Sequence, residues 1–403
     1  MRARLGRWAD SPLRLGCVAG AVALVFAVLR ALVAASGNVA GFIIVGAANA
    51  NRAALPHGIP VYPVTGYDGE FYYRLALDPL AWGHQAFGIN LDAPYRISRI
   101  GYPALAWLAS GGRHALVPYA LVGVNVVGLA LVTACAAALA RDAGRRAVWG
   151  LAVAGYWGFL WTLGRDTTEV VAAAALMAGL LAIRRERFAL AGAALAVGAL
   201  ARETVLVLVG AVFVARMLGW ARAALGDGAR AARADPADLT RLGPGWADAV
   251  WALPGLVFVG WQSAVRASTG SFPVLSSDNS NSGAPFAGLV AGLRHYVHAL
   301  PSRAALAWVV ELAVLAVVVV SAAWSWRSSR ALFHERLAWI GYGGLAIVLQ
   351  GPIWLGDVGF RSLDEVFLLS GILLLYSKRR MGWQTFLIAG TWCAVFIETV
   401  LYI

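Results

Sequence analysis

The chain has 403 residues, of which 60% are hydrophobic and only 13% charged, with a net charge of +12. Soluble domains carry about 25% charged residues, so the surplus of apolar side chains must face lipid rather than a single folded core. The positive charge sits in short clusters between apolar runs, which argues against nucleic-acid binding and for a membrane protein oriented by cytoplasmic arginines.

A bilayer core takes about 20 apolar residues per helix, and on that rule the sequence predicts an all-α, polytopic transmembrane bundle of about ten or eleven spans. They fall near 15–36, 114–140, 147–163, 168–183, 188–201, 204–220, 247–265, 304–326, 337–355, 361–376 and 383–402, making the whole of 1–403 one transmembrane domain. The first run, Leu15 to Ser36, follows Arg2, Arg4, Arg7 and Arg14. It is longer than the apolar core of about 7–15 residues in a signal peptide, so it is expected to remain as a span. Segment 188–201 reads either as a span or as one arm of a broken hairpin with 204–220. Clusters at Arg141/Arg145/Arg146, Arg184/Arg185/Arg187, Arg327/Arg330/Arg336 and Lys378/Arg379/Arg380, with the 221–246 connector, mark the cytoplasmic side. They place the N-terminus there, and an odd number of spans places the C-terminus outside. Lys378 is the only lysine. Cys17, Cys135 and Cys393 lie in apolar runs without metal or disulfide spacing and are expected as buried small hydrophobes.

Two outer segments are long, 37–113 and 266–303. In the first, Phe71 to Leu77 predicts a short amphipathic helix, and Ile100 to Ser110 is apolar but too short to span. Both are expected to lie in the interface or re-enter the membrane. The 221–246 segment is charged, punctuated by Gly and Pro, and reads as a cytoplasmic connector.

Four polar clusters could carry chemistry. In Gly66-Tyr67-Asp68-Gly69-Glu70-Phe71-Tyr72-Tyr73, two acids flank a glycine that permits a tight turn. Carboxylates beside aromatics can have raised pKa values and act as a general base; a solvated loop with an aromatic belt accounts for the spacing equally well. In Gly164-Arg165-Asp166-Thr167-Thr168-Glu169, the Asp166/Glu169 spacing is that of a capping box. Arg165 beside a helix N-terminus would make an anion site. Arg202 and Glu203 lie between two apolar stretches, where charge is costly unless paired. They either neutralise each other or their neighbours, or Arg202 contacts a phosphate. Near the end, Arg361 could bind phosphate with Asp357 or Asp364 holding it, or these charges could simply cap the next span. The polar stretch Ser276 to Gly283 reads as a solvated loop, with sugar contact as the alternative. Glu311 and Glu398 are expected to face the bundle interior. No Walker or Rossmann loop and no histidine ligand spacing occurs, which argues against an ATP-driven pump or a nucleotide-sugar enzyme of that kind.

The stretches YDGEFYYRLALDP and YRISRIGYPALAWLAS resemble bacterial membrane proteins of the GT-C glycosyltransferase class, and RDTTE and ARET are similar to its mannosyltransferase-type members. The resemblance covers mainly residues 60–205. It implies a GT-C-like bundle in the bacterial plasma membrane, active at the extracytoplasmic face. It further implies a polyprenyl-phosphate sugar donor and inverting transfer of a hexose or pentose to a cell-envelope glycan or lipid acceptor. Asp68 matches an acid that acts as base or orients the acceptor. Glu70 stands where related sequences often have Gln; it would be the second acid of a D-x-D-like pair on a divalent cation such as Mg or Mn, or a hydrogen-bonding group. Such a reaction needs a base on the acceptor hydroxyl and cations on the departing phosphate. Arg165, Arg202 and Arg361 are the candidates for the phosphate, with Arg96 or Arg99 sharing that work. Tyr67, Tyr72, Asp166 and Glu203 complete the expected substrate contacts, the aromatics stacking on sugar or polyprenyl. Two rivals share these features: a transporter or flippase of lipid-linked glycans, which needs no base in the first outer loop, and a non-catalytic scaffold of an envelope-assembly complex.

Overall fold

The computed structural model describes residues 10–63, 65–225, 238–240, 245, 248–276, 281–356, 358–379 and 382–402. Asp357, residues 277–280 and most of the 221–246 connector lie outside them. The described chain is helical, with helices α1 (Pro12–Val33), α2 (Asp68–Leu77), α3 (Gly101–Ser110), α4 (Val117–Asp142), α5 (Gly150–Ala154), α6 (Gly158–Leu163), α7 (Glu169–Arg184) and α8 (Phe188–Ala201). The second half continues with α9 (Leu206–Ala224), α10 (Ala249–Thr269), α11 (Ala287–His298), α12 (Arg303–Ser325), α13 (Phe333–Val348), α14 (Gly351–Gly356), α15 (Asp364–Leu375) and α16 (Gly382–Leu401). The only strands among the described residues are two short pairs between α1 and α3. In one, Val45–Gly46 runs parallel to Val61–Tyr62; in the other, Gln85–Ala86 runs antiparallel to Ile89–Asn90.

Among the described residues, five helical segments are long and apolar enough to cross a bilayer: Pro12–Val33, His114–Asp142, Glu203–Ala224, Arg303–Ser325 and Gly382–Leu401. Of the other expected spans, 247–265 forms the continuous 21-residue α10, which is long enough but less apolar; the rest are shorter or interrupted. The 147–163 run breaks into α5 and α6 around Gly155 to Trp157, and the 337–355 run divides between α13 and α14. The last interior helix, α15, has 12 residues, every one of them buried. It lies among α12, α13 and α5, so its apolar surface is covered by protein all round rather than presented to lipid.

Helix contacts use small residues where backbones approach. In α1, Gly16 and Gly20 form a small-xxx-small pair against α4; a Cβ on Gly16 would come within 2.7 Å of the Ala130 carbonyl oxygen. α4 in turn packs on α7, α7 on α8, and α8 on α10. α8 does not form a tight hairpin with α9; α9 turns away and packs mainly on α13. Cys135 is buried as expected, whereas Cys17 and Cys393 face outward, the direction an apolar thiol can take on a lipid-facing surface.

The segment between α1 and α4 folds inward. α2 is buried along its whole length except at Asp68, so it is covered by protein all round rather than showing one polar face to a surface. A buried arginine explains why: the Arg74 guanidinium donates to the carbonyls of His84 (2.9 Å), Ile89 (2.8 Å), Ala81 (2.9 Å) and Gly83, wrapping the following loop around the helix. α3 does present Trp107 and Leu108 outward, in keeping with an interfacial position.

Candidate functional site

Asp68 is the first residue of α2, where the free amides of a helix N-terminus favour a carboxylate. Gly69 follows because nothing larger fits. A Cβ there would lie 2.4 Å from the Arg165 carbonyl oxygen and 2.9 Å from that of Ile43. The glycine therefore serves a close approach between α2 and the 164–168 segment, rather than the loop turn expected of it.

This approach puts Asp68 among arginines from distant parts of the chain. Its Oδ1 accepts from Arg96 and its Oδ2 from Arg361 at 2.8 Å. Arg96 also donates to both carboxylate oxygens of Asp92, at 3.0 and 2.8 Å, and lies over the Phe71 and Tyr95 rings. Arg361 donates its other terminal nitrogen to Glu169 at 2.6 Å. It is aimed there by left-handed backbone at Gly359 (φ 66°) and Phe360 (φ 51°). Phe360 is held in that conformation by Trp308, Trp354 and a hydrogen bond from the Tyr156 hydroxyl to its carbonyl. Tyr67 lies between Arg165 and Arg361, whose guanidinium carbons sit 4.5 and 4.9 Å from its ring centre.

The neighbouring pairs extend the layer. Arg99 forms a two-pronged pair with Glu203 (3.0 and 2.6 Å). Arg202 binds Asp364 at 2.9 Å and Glu365 at 3.5 Å, while the Thr204 hydroxyl donates to Glu365. Arg202 and Glu203 thus do not pair with each other; each neutralises a partner from another element.

Several expectations are corrected by this geometry. Asp68 and Glu70 do not form a joint ligand set: at i and i+2 on a helix they point apart. Glu70 is buried, its Oε2 accepting from the Gly46 amide (2.9 Å) and its Oε1 from Asn49 Nδ2 (2.7 Å). With both its oxygens occupied in this way, the pair does not fit a shared divalent ion. Among the described residues no cluster of three or more His, Cys, Asp or Glu could hold a metal. No capping box forms at 166–169, since Thr168 is the N-cap and makes no side-chain cap. Asp166 instead adopts left-handed backbone (φ 48°) and accepts from the Tyr102 hydroxyl at 3.4 Å, with Asn125 bonding that same hydroxyl. Asp166 and Glu169 turn inward because buried donors await them. Phe71, Tyr72 and Tyr73 are buried in the core, so they are not stacking surfaces for a ligand. Glu311 is buried, as expected, and Glu398 lies 3.7 Å from Arg303.

The electrostatics of the two first-loop acids differ. Burial alone would raise the pKa of Asp68, but the guanidiniums of Arg361 and Arg96 overcome it and hold the carboxyl well below the usual range. For Glu70 burial prevails over the Asn49 and Gly46 hydrogen bonds, and its pKa is raised.

Sequence reasoning did not assign Glu169, Asp92 or Glu365 to the site. Glu169 and Glu365 carried a usable signal: each is an acid in the first turn of an apolar helix, where burial demands a partner. Asp92 had none, as an acid in a loop. Comparison with family models, curated proteins and solved structures finds no match for this chain.

Proposed function

We propose that the protein is a polytopic membrane glycosyltransferase of GT-C-like architecture, in a bacterial plasma membrane with its N-terminus cytoplasmic and the Asp68 end extracytoplasmic. It transfers a sugar from a polyprenyl-phosphate donor to a cell-envelope glycan or lipid. The observation that carries this reading is the Asp68 carboxylate held between Arg96 and Arg361, with Arg99 and Arg202 in the adjoining pairs. A phosphate-leaving reaction asks for one acceptor-directed carboxylate surrounded by cations, and the motifs of residues 60–205 point to the same chemistry.

The paired state sets the order of events. While two guanidiniums bind Asp68 its proton affinity is low, which suits a charge partner and not a base. The donor phosphate competes for the same guanidinium donors, Arg being the residue suited to forked phosphate contacts. Once Arg361 and Arg96 turn to the phosphate, Asp68 regains proton affinity and accepts the acceptor hydroxyl's proton. The acceptor oxygen bonds to the anomeric carbon, the bond from that carbon to the phosphate oxygen breaks, and the polyprenyl phosphate leaves with the electron pair, stabilised by the arginines. The base is therefore unmasked by substrate.

One observation favours the scaffold rival: these arginines already have carboxylate partners from other elements, which is how a purely structural clasp would be arranged. The experiment separating the two uses the full-length protein, with Asp68→Asn and Asp68→Ala compared at matched membrane levels for transfer from a radiolabelled polyprenyl-phosphate sugar. The transferase reading expects turnover in the wild type and a fall of about 10²–10⁴-fold in both variants. Undiminished turnover in the variants removes Asp68 as base, and absence of transfer by the wild type across donor sugars removes the enzyme reading.

A further inference from the structure

α15 begins at the charged site, where Asp364 pairs with Arg202, and ends roughly 18 Å away at about 1.5 Å per residue. Beyond its last turn the chain is fixed by Arg145, which donates to the carbonyls of Leu375 (2.6 Å), Ser377 (2.6 Å) and Arg379 (2.7 Å). This anchoring leaves the side chains of Lys378 and Arg379 exposed. Facing them is the end of α12, followed by Trp326, Arg327 and Ser328.

Together these ends border an open hollow of about 790 Å³ lined by Trp324, Trp326, Arg327, Ser328, Lys378 and Arg379. Among the described residues no carboxylate lines it, in contrast to the Asp68 site, where the arginines are matched by acids. The tryptophans carry cations of their own: Arg379 lies 5.1 Å from the Trp324 ring and Arg336 5.3 Å from that of Trp326. Concave, basic and lacking acids, the site calls for an anion.

The surroundings identify which kind. Trp324 is 71% exposed on an apolar helix, and Val320, one turn earlier on the same face, is 58% exposed. α16, which packs on α12 through a hydrogen bond from Gln384 to Ser321 (3.3 Å), opens with exposed Trp383 and Phe386. Apolar surface thus leads to the basic residues along α12, with the apolar start of α16 packed beside it. A free phosphate would use only the cations; a phosphate carrying acyl chains would use both surfaces. Basic pockets between helices at the membrane boundary, edged by tryptophan, are suited to anionic lipid.

We propose that this hollow binds the phosphate of an anionic lipid headgroup, with Arg327, Lys378 and Arg379 as its ligands and the acyl chains lying along α12 and α16. The site requires only that the bundle be embedded in a membrane and stands independently of the transferase reading.

Lys378 is the sole lysine of the chain, so amine acylation reports on this site directly. The full-length protein is placed in nanodiscs of phosphatidylcholine alone or with phosphatidylglycerol, and acylation at Lys378 is followed by peptide mass spectrometry. An Arg187→Lys variant supplies a second amine at the same end of the bundle, outside the hollow, and reads the general effect of a charged surface. Phosphatidylglycerol is expected to slow acylation at Lys378 about fivefold relative to that reference amine, the scale of one basic side chain meeting anionic lipid. Joint replacement of Arg327 and Arg379 by glutamine is expected to abolish the difference. Equal slowing at both amines, or no slowing at either, overturns the site. Persistence of the difference in the double variant overturns the ligand set. Full protection by inorganic phosphate in phosphatidylcholine discs overturns the lipid as its source.

Discussion

Asp68 and Glu70 are separated by one residue yet serve opposite ends. The ionised form of Asp68 is stabilised in the folded protein, its pKa lying below the free-carboxylate value of about 3.9. Its contribution to stability is therefore present above that value and is lost as pH falls toward the folded pKa. Thermal unfolding in detergent is expected to show Asp68→Asn less stable than wild type by about 1–3 kcal/mol. That gap should hold from about pH 5 to pH 8 and narrow below about pH 4. Glu70 ties α2 to the Gly46 amide and Asn49. Glutamine can replace it if the Asn49 amide flips to accept from the new donor, so Glu70→Gln is expected to keep both fold and transfer. Glu70→Ala leaves the buried Gly46 amide and the half-buried Asn49 donor unmatched and should cost about 1–3 kcal/mol by the same unfolding measurement. A cation-dependent transfer lost in Glu70→Gln would contradict the structural role.

At the scale of elements, what matters is how α2 is pressed against the 164–168 segment. The contact admits only glycine at position 69, where an added methyl meets the Arg165 carbonyl oxygen. Gly69→Ala is expected to destabilise by about 1–3 kcal/mol through overpacking. It should also lower transfer by about 100-fold, since a shift near 1 Å moves Asp68 away from Arg361. Wild-type turnover in this variant, measured at matched membrane levels, would show that the placement of Asp68 is not critical. Elements in the interior are also where sequence reading fell short. Apolar runs at 147–163, 337–355 and 361–376 announced helices, but not that they would be broken or would end after 12 residues. A helix wrapped by its neighbours has no lipid thickness to match, so the length rule that identifies a span does not bind it.

At the scale of the whole molecule, orientation in the membrane is directly measurable. Single cysteines at the exposed positions 52 and 187, in a chain without its three native cysteines, test it with a membrane-impermeant maleimide on intact cells. Labelling at 52 and not at 187 is expected, and the reverse would place Asp68 on the cytoplasmic side. The amino-acid sequence by itself determined that this is an all-helical chain with membrane-length apolar helices, because hydrophobic excess and run length are local properties that tertiary context cannot undo. It also pointed to Asp68, Arg96, Arg165, Arg202 and Arg361, since charge within an apolar chain must be accounted for wherever it lies. Only the tertiary structure decided who answers whom: that Arg361 bridges Asp68 to Glu169 across 293 and 192 residues of sequence separation, that Glu203 turns to Arg99, and that Glu70 faces the protein rather than the site. Pairing of charges depends on distances between helices packed far apart in sequence, and no local pattern encodes those distances.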